Sequence, residues 1–104
     1  MGFTVPDSHR NALPIPDKAR NDPKGVEIAR IWATGGKQVV VLRADAWENP
    51  AAWGLMLVDF AKHVANAYAE LGKGDRENIL QQIKMGFDME WNSPTDEPIG
   101  GMAK

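Results

Sequence analysis

The stretch of residues 49–72 constrains this chain most, because it predicts one long amphipathic helix with both ends marked. Asn49 suits a helix N-cap, and Pro50 suits the first helical position, where a missing N–H group costs nothing. Gly72 can adopt the left-handed conformation that ends a helix. Between these ends, apolar residues recur at spacings of three and four and form one stripe: Trp53, Leu57, Phe60, Val64, Ala67 and Leu71.

The first half of this helix, residues 51–58, carries no charged side chain. A helix that is apolar all round for two turns is covered by other elements on more than one side. The apolar run is nevertheless too short to cross a bilayer, which needs about 20 consecutive apolar residues. We therefore expect a second packing surface on this helix and no membrane partner.

The totals of the sequence exclude several classes of function. A length of 104 residues fits one domain. A net charge of −2 argues against a protein that binds nucleic acid through phosphate contacts. The chain has no cysteine, which excludes disulfides, zinc–thiolate sites and thiol catalysis and agrees with a cytoplasmic location.

Proline and glycine mark both ends of the chain as tails. Residues 1–24 contain four prolines, which lack a donor and disfavour helix before them, so we predict an extended proline-rich arm. This arm is either loose or pinned to the body by Leu13 and Ile15. Residues 92–104 contain two prolines and a Gly-Gly pair and are predicted to be a flexible tail. The single folded domain is then residues 25–91.

A β-hairpin is predicted from residues 26–33 and 37–44, which flank the turn-forming pair Gly35-Gly36. Pairing Thr34 with Lys37 creates two faces. The first is apolar, with Ile31 opposite Val40 and Ala29 opposite Leu42, and should receive the long helix. The second combines Trp32 opposite Val39, Arg30 opposite Val41, and Arg43. The strand of residues 37–42 would be an aggregation-prone edge, so the arm or the same strand of a second copy should cover it.

A second helix follows, with Asp75 as its predicted N-cap and its end near residue 90 or 91. Its apolar side contains Ile79, Leu80, Ile83, Phe87 and Trp91. Gly86 weakens the helix by about 1 kcal/mol relative to alanine, which suggests a close helix–helix contact. The predicted fold class is α+β: an antiparallel β-hairpin packed against a long α-helix, followed by a second antiparallel α-helix.

Residues for catalysis or metal binding are scarce. His63 follows Asp59 by one helical turn, a spacing that permits acid–base chemistry but is more typical of a solvent-facing pair. His9 is the only other histidine, and Ser8 and Ser93 lie outside any nucleophile motif. We therefore predict no catalytic residue, no metal site and no cofactor.

Two candidate sites remain. Arg30, Trp32 and Arg43 share the second hairpin face and, with Trp47 in the link before the helix, could bind a small anionic ligand. The competing interpretation is a subunit interface that includes Val39, Val41 and Trp53. The four tryptophans, at positions 32, 47, 53 and 91, serve either core packing or an interface.

Three segments resemble a family of short bacterial proteins known only as a domain of unknown function. They are residues 46–59 (Ala-Trp-Glu-Asn-Pro-Ala-Ala-Trp-Gly-Leu-Met-Leu-Val-Asp), residues 63–68 (His-Val-Ala-Asn-Ala-Tyr) and the preceding residues 39–43 (Val-Val-Val-Leu-Arg). The resemblance covers about residues 25–91 and rests on a tryptophan-rich string. It implies a small soluble bacterial protein and transfers no activity, substrate or site residue.

Surplus apolar surface without clustered reactive groups favours a non-catalytic protein that associates with itself and with a protein partner. We expect a homodimer, formed through the second hairpin face or the uncharged start of the long helix. The alternative is a domain that binds a small anionic ligand at the tryptophan and arginine side chains, with or without enzymatic activity.

Overall fold

The computed structural model describes residues 9–93 and 99–102 of the chain, the last four as backbone. The elements in chain order are α1 (Asp17–Arg20), β1 (Ala29–Thr34), β2 (Lys37–Leu42), α2 (Ala51–Glu70), α3 (Arg76–Asn92) and β3 (Ile99–Met102). A hairpin followed by two long helices confirms the predicted α+β class.

The hairpin has the predicted register. Thr34 pairs with Lys37, Ile31 with Val40 and Ala29 with Leu42. Gly35 and Gly36 have φ angles of 58° and 74°, the positive values that a type I′ hairpin turn requires. Beyond the strands, the Arg43 N–H donates to the Ile28 carbonyl at 2.8 Å and extends the ladder by one bond. The Gly-Gly turn therefore fixed which side chains share a face.

The second edge of β2 is covered by a strand that the sequence analysis did not predict. β3 pairs with β2 in parallel, from Val39 opposite Ile99 to Leu42 opposite Met102, and gives a sheet of order β1-β2-β3. Neither predicted cover, the arm or a second copy, occupies this edge. Glycine-rich segments have low strand propensity, but backbone pairing to an open edge does not depend on side chains. The remaining tail residues, 94–98 and 103–104, lie outside the described residues.

Helix α2 begins and ends where the sequence predicts. The Asn49 Oδ1 atom accepts from the Ala51 N–H at 3.0 Å and satisfies one of the free amides of the first turn. At the other end Gly72 has φ 72°. Its N–H donates to the Ala69 carbonyl at 3.0 Å, and the Lys73 N–H donates to the Tyr68 carbonyl at 3.0 Å. This pair of bonds is the Schellman motif, which satisfies the last carbonyls of the helix.

Helix α3 folds back beside α2 after the connection of residues 71–75. Its predicted N-cap is confirmed, since Asp75 Oδ2 accepts from the Asn78 N–H at 3.1 Å. Ala65 of α2 and Ile79 of α3 are the only buried residues in the described part of the chain. Most of the predicted apolar stripe of α2 stays exposed, because α3 packs to one side of it, around Ala65, a residue outside the predicted stripe.

The hairpin does not sit on α2, contrary to the expected packing. Among the described elements, no strand residue has its Cα within 8 Å of the Cα of a helix residue. Ile31, at the centre of the face that should receive the helix, is exposed. Periodicity identifies which residues share a face, whereas the turns of residues 43–50 set the direction in which α2 leaves the sheet.

The described part of the arm, residues 9–24, is largely extended and contains the single turn α1. Leu13 and Ile15 do not pin it, since Leu13 is 91% exposed. The ring of His9 instead approaches that of Trp32, with the centroids 5.1 Å apart in an edge-on arrangement. Residues 1–8 lie outside the described residues.

Candidate functional site

The second hairpin face holds three of the four predicted ligand-binding residues. The observed register places Arg30, Trp32 and Arg43 on one face with Val39 and Val41, as predicted. The backbone alternation of the two strands alone produces this grouping.

Glu27 engages both arginines of this face. Arg30 makes a two-bond ion pair with its carboxylate, from Nη2 to Oε1 at 2.7 Å and from Nε to Oε2 at 3.2 Å. Arg43 Nε donates to the Glu27 backbone carbonyl at 3.3 Å. The Glu27 carboxylate therefore already occupies the bidentate position that an anionic ligand would take on Arg30. Sequence reasoning missed Glu27 because it precedes β1, and the folded ladder brings its backbone carbonyl within hydrogen-bond distance of Arg43 Nε.

Trp32 and Trp47 occupy different environments. Trp32 is half-buried, with His9 against its ring. Trp47 packs edge-on against Trp53, with centroids 5.0 Å apart and planes 79° apart, where the linker meets α2. Two open clefts of the described residues lie along α3 and between α2, the connection and α3, and neither is lined by a predicted ligand-binding residue.

The candidate acid–base and metal-binding residues are not brought together. Asp59 and His63 are both exposed on α2, and no hydrogen bond or ion pair joins them. Within residues 9–93 and 99–102, no group of three histidine, aspartate or glutamate side chains is placed to hold a metal ion. Ser93 is exposed at the end of α3, and Ser8 lies outside the described residues.

The polar residues of the helices concentrate near the connection, in residues 61–84, which we call the proximal half. Arg76 donates through Nε to Asn66 Oδ1 and pairs with Glu77, so it links the end of α2 to the start of α3. Gly74 lies so close to Ile79 that a Cβ there would meet Ile79 Cδ1 at 3.3 Å. Contacts within the chain therefore join the two helices in this half.

The other end of the two helices, residues 51–60 and 85–92, exposes eight large apolar side chains, which we call the distal surface. Its members are Leu55, Leu57, Val58, Phe60, Met85, Phe87, Met89 and Trp91. Phe87 and Trp91 stack on each other at 5.5 Å, yet Trp91 is 75% exposed. A core-packing role is therefore wrong for Trp91, although it lies on the apolar side of α3 as predicted.

Gly86 also lies in this region, and the described residues do not form the helix–helix contact that the sequence predicted there. A Cβ added at Gly86, or at Gly54 of α2, would meet nothing within 4 Å. The presence of glycine at position 86 is therefore not explained by close packing of α2 on α3.

Together these features define a small α+β domain that has a hairpin-based sheet, a helical hairpin and a large exposed apolar surface. The chain belongs to the family described as a domain of unknown function (DUF5076), whose family model matches residues 12–95. This match confirms the resemblance seen in the sequence and extends it into the arm and past the end of α3.

Among solved structures, the chain is similar to one described as a putative pyruvate dehydrogenase from the photosynthetic bacterium Rhodopseudomonas palustrus CGA009. The two share 29% sequence identity with a TM-score of 0.69, over 86% of this chain and 92% of that chain. No curated protein matches the chain. Within the part of the chain that the structure describes, no helix has both the length and the apolar character needed to cross a membrane.

Proposed function

We propose that this protein is a non-catalytic, self-associating domain of the bacterial cytoplasm, whose second copy covers apolar side chains that its own fold leaves exposed. The observation that carries the proposal is the surface area. One chain exposes 9454 Å², whereas a folded monomer of this mass exposes about 5,800 Å². The extended arm accounts for part of the difference, and the exposed helix residues account for part as well.

The excess is larger than a permanent homodimer needs. Obligate dimer interfaces bury roughly 2,000–5,000 Å² in total, which is about 1,000–2,500 Å² on each copy, and they are richer in apolar residues than transient ones. The Cα radius of gyration of 16.2 Å also exceeds the value of about 13 Å for a compact domain of this length. A chain with so little buried apolar area gains little hydrophobic stabilisation by itself.

The test is the solution mass by light scattering behind a sizing column, over a concentration range of about 100-fold. The expected mass is about 23 kDa, twice the chain mass of 11.4 kDa. A stable, folded species of 11.4 kDa across the whole range would overturn the proposal.

The second candidate function is binding of a small anion at Arg30, Trp32 and Arg43, with Trp47 as the more distant member. The shared face of the two arginines favours it, and the Glu27 carboxylate on Arg30 opposes it. Thermal shift with inorganic phosphate and small dicarboxylates tests it. Stabilisation that Arg43→Ala abolishes would support the site, and unchanged melting with every anion would remove it.

The name of the structural neighbour does not lead us to propose dehydrogenase activity here. Among the described residues, neither an oriented acid–base pair nor a phosphate-binding glycine loop accompanies the shared fold. Fold similarity alone does not carry function, because activity depends on the site residues.

A further inference from the structure

The distal surface lies at one end of the helical hairpin. Because residues 71–75 join the two helices, the start of α2 and the end of α3 both lie away from the connection. The α2 part, residues 51–58, has no charge. In α3, Met85 and Met89 lie on one side and Phe87 and Trp91 on another. Both helix ends are therefore apolar on more than one side, the pattern of a helix covered by several neighbours.

The exposed side chains of this surface are of the types that fill an interface core. Aromatic residues and methionine are enriched in such cores, and charged residues are depleted, as they are in residues 51–58. The α3 part also contains two carboxylates, Asp88 and Glu90. Trp91 and Phe87, stacked but open, have the character of an interface hot spot. The proximal half instead carries Lys62, Glu70 and Arg76 and resembles an ordinary solvated surface.

The chain does not cover the distal surface with its own sheet, since no strand Cα lies within 8 Å of a helix Cα among the described elements. The hairpin face is a weaker candidate interface, because His9 lies against Trp32 and Glu27 pairs with Arg30. A second copy fits the distal surface best. The excess exposed area is more than the roughly 1,000–2,500 Å² that each copy of a permanent homodimer buries, and the uncharged residues 51–58 of α2 do not repel the same residues of a second copy.

We propose that the distal surface of one copy packs against the same surface of a second copy across a two-fold axis. This inference rests on the proposed self-association and adds its location. A two-fold interface uses the same patch on both subunits. The two helical hairpins then meet end to end or interleave at their distal halves, and the two connections lie at the outer ends of the dimer.

Two leucines of the long helix provide a matched test. Leu55 in the distal half is 72% exposed, and Leu71 at the proximal end is 71% exposed, so their substitution disturbs the single chain to the same small extent. Leu55→Lys places an unpaired charge in the interface and should raise the dimer dissociation constant roughly 30-fold or more. Leu71→Lys should leave it within about twofold of the wild-type value. Sedimentation equilibrium measures both constants.

The outcomes separate the two proposals. A wild-type dimer that both variants leave intact, or that only Leu71→Lys dissociates, overturns the distal interface but not self-association. A wild-type monomer overturns both.

Spin labels provide a second measurement that does not depend on disrupting the interface. The chain contains no cysteine, so Lys73→Cys and Asn92→Cys each accept one label per copy. The label-to-label distance between the two copies should be shorter for Asn92, at the distal end of α3, than for Lys73 in the connection. The reverse order would overturn the proposal.

Discussion

The two halves of the helical hairpin differ in how far the chain completes them. The proximal half has a capped helix start, a Schellman helix end and the two buried side chains of the described chain, Ala65 and Ile79. The distal half has the larger side chains and buries none of them fully. Capping residues and local packing therefore complete the proximal end of the helix pair. The distal end has apolar side chains typical of a core, but they remain exposed to solvent.

The difference shows that apolar composition and burial within one chain are separate properties. In α2, the uncharged residues 51–58 are the part that the sequence marks as buried on several sides, and Leu55 there is among the most exposed side chains. A helix segment of this kind gains stability only when another surface removes it from water. Each prediction below sets a proximal residue or a distal residue against a matched control.

The largest expected effect is at the proximal core. Ile79→Ala removes a buried side chain that packs beside Gly74 and should lower the free energy of unfolding by about 2–4 kcal/mol. Ile15→Ala, at a mostly exposed position in the arm, should change it by less than about 0.5 kcal/mol. Urea denaturation at one fixed protein concentration measures both. Equal effects at the two positions would mean that the proximal half is not the core of the chain.

The next effect belongs to the distal surface. Trp91→Ala should weaken the dimer by about 2 kcal/mol, because a large aromatic ring leaves the interface. The melting temperature of a dimer rises with protein concentration. At each concentration, the melting temperature of the variant should therefore be lower than that of the wild type. Leu13→Ala, at an equally open position outside the surface, is the control. Melting curves of wild type and variant that coincide at every concentration would place Trp91 outside the interface.

Sequence reasoning predicted the features that depend on neighbours in the chain. The turn at Gly35 and Gly36, the strand register, the Asn49 and Asp75 caps and the Gly72 helix end all follow from local backbone chemistry. The same alternation predicted that Arg30, Trp32 and Arg43 share a face. Their common face was predictable because side chains alternate between the two faces along a strand.

Features that depend on distant parts of the chain were not predictable in the same way. The pairing of Ile99 with Val39 joins residues that are far apart in sequence, and the glycine-rich pattern of β3 concealed it. The hydrogen bond from Arg43 to the Glu27 carbonyl likewise joins residues 16 positions apart. Periodicity predicted the apolar stripe of α2, but most of that stripe is exposed and the buried residue of α2, Ala65, lies outside it, because periodicity does not specify which surface covers a helix face.

A smaller effect tests whether the proximal half is self-sufficient. Asp75→Ala removes the side chain that caps α3 and should lower the free energy of unfolding by about 1 kcal/mol. Asp17→Ala, in the arm, removes only an exposed i,i+3 pair with Arg20 and should change it by less than about 0.5 kcal/mol. The cap effect should be independent of protein concentration, since it acts within one chain. A cap effect that grew on dilution would show that the proximal half also depends on the second copy.

The smallest expected effect is that of Gly86→Ala on stability, and its sign should differ between the monomer and the dimer. In the single chain Gly86 faces open space, so Gly86→Ala should stabilise α3 by about 0.5–1 kcal/mol through helix propensity alone. In the dimer, where the second copy lies over the distal surface, the added methyl group should oppose close approach, and we expect lower stability instead. Chemical denaturation of Gly86→Ala in the wild-type background and in the Leu55→Lys background compares the two states. Destabilisation in the first and stabilisation in the second support close packing at Gly86, and stabilisation in both would show that no helix of a second copy crosses there.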